Sequence, residues 1–169
     1  MGNNTSFVAF SKPFVDAGRK VFETMISSSL ETQKPYLKEG RVSTADISAS
    51  LGVTGTVETD GKTISYQAMM VLSWPEATYL KIASAMLYEE FTEYVEEIQD
   101  VGGEISNMIM GNAKATLSTM GYTTSMAIPI VTRGKSHSIN YPQGCNIIVI
   151  PIKTAHGEMF MDICFSLEE

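Results

Sequence analysis

Between residues 100 and 118 one line of side chains combines an acid, an amide and a glycine. Taking about 100° per residue, Asp100, Glu104, Asn107, Gly111, Lys114 and Ser118 share a stripe under about 100° wide. The other side carries Ile98, Val101, Ile105, Met108, Ile109 and Leu117, the pattern of a core helix with a polar line turned outward. On that line the Glu104 carboxylate can only accept hydrogen bonds, whereas the uncharged Asn107 amide, one turn later, both donates and accepts. Gly111 has no packing purpose on a solvent-facing line; it lowers the helix surface and lets another backbone approach closely. By spacing alone the same pattern is equally the polar face of an ordinary amphipathic helix, since short motifs recur by chance.

Other chemistry-bearing residues are sparse. His137 and His156 sit near turns, with no spacing to Cys145 or Cys164 that reads as a metal site. The two cysteines lie in apolar strands and read as small core residues, and most of the eleven methionines read as core filling. The sequence has no P-loop, nucleophile elbow or dinucleotide fingerprint.

The elements around the polar line follow from periodicity and punctuation. Ser11 is placed to cap a first helix, with Pro13 in its opening turn, and Val15, Gly18, Phe22, Met25, Ile26 and Ser29 form its inner face. Residues 31–44 read as a loop. Strands are expected over 46–58 and 62–72, joined at Asp60-Gly61, a strong hairpin signal. Trp74-Pro75 ends the second, and 76–88 returns to helical spacing. The longest helix is expected over 91–120, closed by Gly121, with Gly102-Gly103 inside it marking a bend or a close backbone approach. Strand-rich segments follow at 122–132, 136–141, 145–154 and 158–167, the last two joined at Ala155-His156-Gly157. Sequential hairpins imply antiparallel pairing, hence an α+β domain with helices covering one face of a sheet.

The length of 169 residues suits one domain, with residues 1–10 as a flexible start, and 44% hydrophobic content can fill one core. Nineteen acidic against twelve basic residues give a net charge of −7, and the longest basic cluster is Arg19-Lys20. This disfavours a partner made of nucleic acid or anionic membrane. No run approaches the length of apolar residues needed to span a bilayer. The first residues lack signal-peptide character, so reduced thiols and a cytoplasmic location are expected. Met1-Gly2 with Ser6, Asn3-Asn4-Thr5 and Asn4-Thr5-Ser6 fit acylation and glycosylation patterns short enough to be accidental.

Asp100-x3-Glu104-x2-Asn107-x3-Gly111-Asn-Ala-Lys114 resembles the signature of the CheC/CheX/FliY family of chemotaxis phosphatases, the short chain and single copy being most similar to its CheX branch. Phe14-Val-Asp-Ala with Val21-Phe-Glu-Thr-Met25 is similar to the family's first helix. Gly55-Thr-Val and Met70-Val-Leu-Ser-Trp are similar to its first hairpin, and Leu80-Lys-Ile-Ala-Ser-Ala-Met-Leu87 to the helix before the signature. The resemblance implies a CheC-like α+β fold and a phosphorylated CheY-like response regulator as substrate, with Glu104 and Asn107 as catalytic residues. An acyl phosphate needs a water placed in line behind phosphorus, so catalysis can be largely positioning. The Asn107 amide can orient that water, while Glu104 would bind a lysine of the regulator or fix the amide. Asp100, Gly111 and Lys114 would touch the partner, although Asp100 could instead only cap the bend at Gly102 and Lys114 is equally an ordinary solvated lysine. The resemblance implies no cofactor or metal of its own, with Mg²⁺ belonging to the regulator, and a homodimer.

Two-site relatives carry a second signature. Here Asp16-Ala-Gly-Arg-Lys20-Val-Phe-Glu23 faintly echoes Asp100-Val-Gly-Gly-Glu104-Ile-Ser-Asn107, with Lys20 and Glu23 in place of the acid–amide pair. The first helix is therefore expected to be structural. The rival readings are a non-catalytic regulator-binding or flagellar-switch-like assembly module, and a small-ligand sensor on the same scaffold.

Overall fold

A computed structural model of the chain describes residues 2–168, without the side chains of residues 2–6. Met1 and the side chains that would carry the N-terminal modification patterns thus lie outside the described residues. The frame is two long hairpins. Strands β3 (Ile47–Thr59) and β4 (Lys62–Trp74) pair along their whole length about Asp60-Gly61. Both turn residues adopt positive φ (49° and 74°), the mirror-image turn that matches strand twist. Strands β7 (Ile147–Thr154) and β8 (Gly157–Leu167) form the second hairpin about Ala155-His156. Their antiparallel union through β4 and β8 builds the sheet's centre. Short strands finish its edges: β1 (Leu30–Thr32) and β2 (Tyr36–Leu37) on β7, β5 (Ser125–Met126) and β6 (Ile130–Arg133) on β3.

Helices α1 (Gly2–Val21), α2 (Glu76–Leu87) and α3 (Val101–Thr119) cover one face, as expected for the α+β class. Period-2 alternation directs Ile47, Ala49, Leu51 and Val53 of β3 and Ala68, Met70, Leu72 and Trp74 of β4 into that core, where all are at most 3% exposed. They meet Phe14, Ile105, Ile109 and Leu117 there.

Helix α1 starts nine residues before the expected Ser11 cap. Phe10, fully buried, stacks on Phe165 at 4.4 Å and lies 5.6 Å from Tyr122, which recruits the preceding turns into the helix. Ser11 instead donates to the Val8 carbonyl (3.0 Å), and Pro13 lies inside the helix. A π-helical turn at Phe22–Ile26 widens the helix end so that both Phe22 and Ile26 are buried, leaving Met25 and Ser29 outside the predicted face.

The other face carries a smaller cluster of Val71, Ile139, Tyr141, Ile147 and Cys164. Residues 136–141 are not the predicted strand; Ile139 and Tyr141 alternate inward because the segment crosses this face as a strap. Beneath it Asp162, fully buried, accepts from the Tyr141 hydroxyl (2.5 Å) and pairs with Lys38 (3.4 Å). Burial pushes the Asp162 carboxyl above the usual range, while Tyr141 and Lys38 pull it back.

Candidate functional site

Residues 91–100, expected to be helix, are a connector with one 3₁₀ turn at Glu96–Ile98. Helix α2 stops at Tyr88, whose φ of 55° is left-handed, and the Ser84 hydroxyl takes the Phe91 N–H (2.9 Å), redirecting the chain. Helix α3 then begins where a buried tyrosine gathers the backbone. The Tyr79 hydroxyl accepts from the Gly102 N–H (2.9 Å) and donates to the Ile98 carbonyl (2.7 Å), with the Gln99 carbonyl 3.1 Å away. Burial pushes this phenol strongly upward in pKa, which keeps it a neutral donor. A Cβ at residue 102 would stand 3.1 Å from the Trp74 ring, so glycine is what lets the helix start against these rings. The Gly102-Gly103 pair therefore lies in the first turn, not mid-helix, and the close approach expected there is present. Asp100 occupies the N-cap position without a side-chain cap bond; its carbonyl accepts the Glu104 N–H at 2.9 Å.

With the start fixed, periodicity settles the rest. Val101, Ile105, Ile109, Ala113 and Leu117 are buried, whereas Asp100, Glu104, Asn107, Gly111 and Lys114 are exposed. Neither the Glu104 carboxylate nor the Asn107 amide bonds any other described residue. A Cβ at Gly111 would meet nothing within 4 Å, so no described residue requires glycine there.

Asp100, Glu104 and Asn107 come together on the wall of a cleft of about 310 Å³. Tyr94 and Gln99 of the connector form one side, and Ile128, Pro129 and Val131 of the β5–β6 edge the other. Gly111 and Lys114 continue the exposed line along α3 but do not line the cleft. Arg133 lies over the Tyr94 ring, 4.5 Å from its centroid, and is held by Glu76 at 2.6 Å. Partial burial raises the Tyr94 phenol's pKa and the Arg133 charge opposes that rise. The cleft therefore offers two carboxylates (Asp100 and Glu104), two amides (Gln99 and Asn107) and a phenol (Tyr94), and its own lining charges are both negative.

Tyr94, Ile128 and Pro129 were not singled out from sequence. The available signal was Pro129: proline within a strand-rich run marks an edge or an irregularity, because it lacks a ladder donor. Among the described residues, no group of three or more His, Cys, Asp or Glu is arranged to hold a metal ion. His137 is engaged structurally, its ring nitrogens 2.6 Å from the Ser48 hydroxyl and 2.7 Å from the Gly134 carbonyl.

The family model described as chemotaxis phosphatase CheX matches residues 53–153, a span holding the second half of β3, all of β4 and all of α3. The chain belongs to the CheX family. Among solved structures it is similar to the chemotaxis protein CheX of Vibrio vulnificus, at 33% identity over 94% of this chain and 99% of that one, with a TM-score of 0.78. It is likewise similar to the CheX of Desulfovibrio desulfuricans, at 32% identity over 95% and 99%, again with a TM-score of 0.78. The CheX–CheY–BeF₃–Mg²⁺ complex from Borrelia burgdorferi shares the fold, at 22% identity over 95% and 98% and a TM-score of 0.71. Among curated proteins nothing matches the chain. CheX membership ties this chain to chemotaxis signalling and to a phosphatase family. No helix among the described residues is long and apolar enough to cross a membrane.

Proposed function

We propose that this CheX-family chain accelerates hydrolysis of the aspartyl phosphate on a CheY-like response regulator, with Glu104 and Asn107 as the residues that enter the regulator's phosphorylation pocket. One observation carries the reading: an acid and an amide one helical turn apart, both exposed at a cleft and both without a partner among the described residues. An acyl phosphate is already activated, so its hydrolysis requires mainly a water held in line with the phosphorus–oxygen bond that breaks. The Asn107 carbonyl oxygen accepts a hydrogen bond from that water and its NH₂ donates one to a phosphoryl oxygen, with no charge to repel the anion. Glu104 engages a cationic side chain of the regulator and fixes the approach of α3. Gly111 lets the regulator's backbone lie close to the helix, and Asp100 and Lys114 contact its surface at either end of the line. Mg²⁺ is held by the regulator's own acidic pocket. The complex of the Borrelia relative with activated CheY supports the choice of partner.

The test is phosphate release from a phosphorylated regulator in the presence of Mg²⁺. Asn107→Ala should lower the acceleration by about 10²–10³, the usual loss when one preorganised positioning group is removed, with thermal stability retained because the side chain is exposed. Turnover equal to that of the parent protein overturns the assignment. Tight binding of the phosphorylated regulator without faster decay indicates an assembly module in place of an enzyme.

The same reading carries a cytoplasmic homodimer, paired through an exposed edge of the sheet. A monomer mass by light scattering at working concentration contradicts it.

A further inference from the structure

The β5–β6 edge contains an irregularity that places an apolar side chain beside the acid–amide pair. Val53 of β3 faces Met126, whereas Ser50 faces Ile130. Four steps along the edge thus match three along β3, which means one extra residue: a β-bulge, a device that re-aims side chains next to functional sites. The Ala127 N–H still reaches the Gly52 carbonyl (2.9 Å), and Pro129, having no N–H, leaves no ladder donor unpaired. Pro129 settles on the start of α3, where its Cβ lies 3.6 Å from the position a Cβ would take on Gly103, the neighbour of Glu104. Ile128, between them, is thrust outward, 85% exposed while lining the cleft. A large aliphatic side chain held in solvent by a proline-braced bulge, at the mouth of a cleft, has no role in the core.

The connector that leads into the cleft has a different character. From residue 82 to residue 113 there is no lysine or arginine, while Glu89, Glu90, Glu93, Glu96, Glu97, Asp100 and Glu104 are all exposed. The cleft therefore presents an apolar peg at the β5–β6 edge and, from its own lining, the carboxylates of Asp100 and Glu104 at the end of an acidic connector, with Arg133 over Tyr94 already paired to Glu76.

We infer that Ile128 is an anchor for the response regulator, seating in an apolar depression beside the regulator's phosphorylation pocket while the acidic rim meets lysines and arginines around it. This rests on the function proposed above and adds the partner's surface chemistry to it. The charge selects that occupant: a phosphorylated pocket is itself anionic and would be repelled by this rim unless basic groups flank it. It also predicts faster association at low salt.

The experiment measures binding of a CheY-like regulator, activated with beryllofluoride and Mg²⁺, separately from phosphate release. Ile128→Ala should weaken binding about tenfold, and the kinetic loss should fall on KM rather than kcat. Val8→Ala, at an exposed apolar residue of α1 (65% exposed), serves as the control and should bind like the parent. Parent association should slow several-fold between about 0.05 and 0.5 M salt. Ile128→Ala binding within twofold of the parent overturns the anchor, and a flat salt response overturns the charge pairing. If the parent binds the activated regulator without hydrolysing its phosphate and Ile128→Ala still weakens that binding, the surface stands while the phosphatase reading falls. A parent that does not bind at all overturns both.

Discussion

Helices α1 and α3 pack against each other over the same face of the sheet, and their sequences faintly echo one another, yet their polar sides behave oppositely. On α1 three of the charges answer to one another: Asp16 takes Lys12 at 2.6 Å and Arg19 at 3.5 Å, and Arg19 reaches Thr32 at 3.5 Å. On α3 the corresponding line makes no such bonds, and it borders a cleft. The difference is one of commitment. A polar face that satisfies itself has nothing to offer a partner, and a face left without internal partners is available for intermolecular chemistry. Lys20 and Glu23, where α3 has Glu104 and Asn107, also lack a neutral group able both to donate and to accept.

Substitutions can separate a helix that supports from a helix that acts. The largest effect on stability should come from Phe14→Ala on α1: the ring is 1% exposed, so its removal should cost about 3–5 kcal/mol in denaturant unfolding. Turnover per folded molecule should stay close to parental; a specific loss of turnover would place α1 in the site. Gly102→Val comes next. Its side chain would collide with Trp74 and Tyr79, costing about 1–3 kcal/mol. Unlike Phe14→Ala it should also depress turnover, because the start of α3 and hence Glu104 must shift. Normal turnover in that variant would mean that the helix start does not set the site. The smallest effect belongs to Asp16→Ala, which breaks an exposed pair and should change stability by only about 0.3–0.5 kcal/mol. A larger value in thermal unfolding would contradict the view that α1's charges merely solvate it.

What could be read from the sequence was whatever local chemistry decides. Asp60-Gly61 sets its hairpin because both turn residues take positive φ, Gly157 supplies the one positive φ beside Ala155-His156, and the register of both hairpins follows. The exposed line from Asp100 to Lys114 was legible because a buried helix enforces its period. Tertiary contacts decided the rest. The spacing of Phe91, Tyr94, Val95 and Ile98 suits a helix, but Ser84 and the left-handed Tyr88 turn the chain away first. Ser11 has the composition of a cap, but Phe10 finds an aromatic nest formed by residues more than fifty positions away. The other wall of the cleft was hidden for the same reason. Which residues of 122–132 oppose α3 depends on the bulge, and the bulge depends on pairing with β3.

The Lys38–Asp162 pair under the strap restricts how this chain can change. One member belongs to a loop and the other to the middle of a central strand, and both are sealed from water. Altering either alone strands an opposite charge in a dry interior, whereas exchanging both for well-packed apolar residues can be neutral. A scan of single substitutions would thus score two rigid positions, where a paired library would find a single replaceable unit.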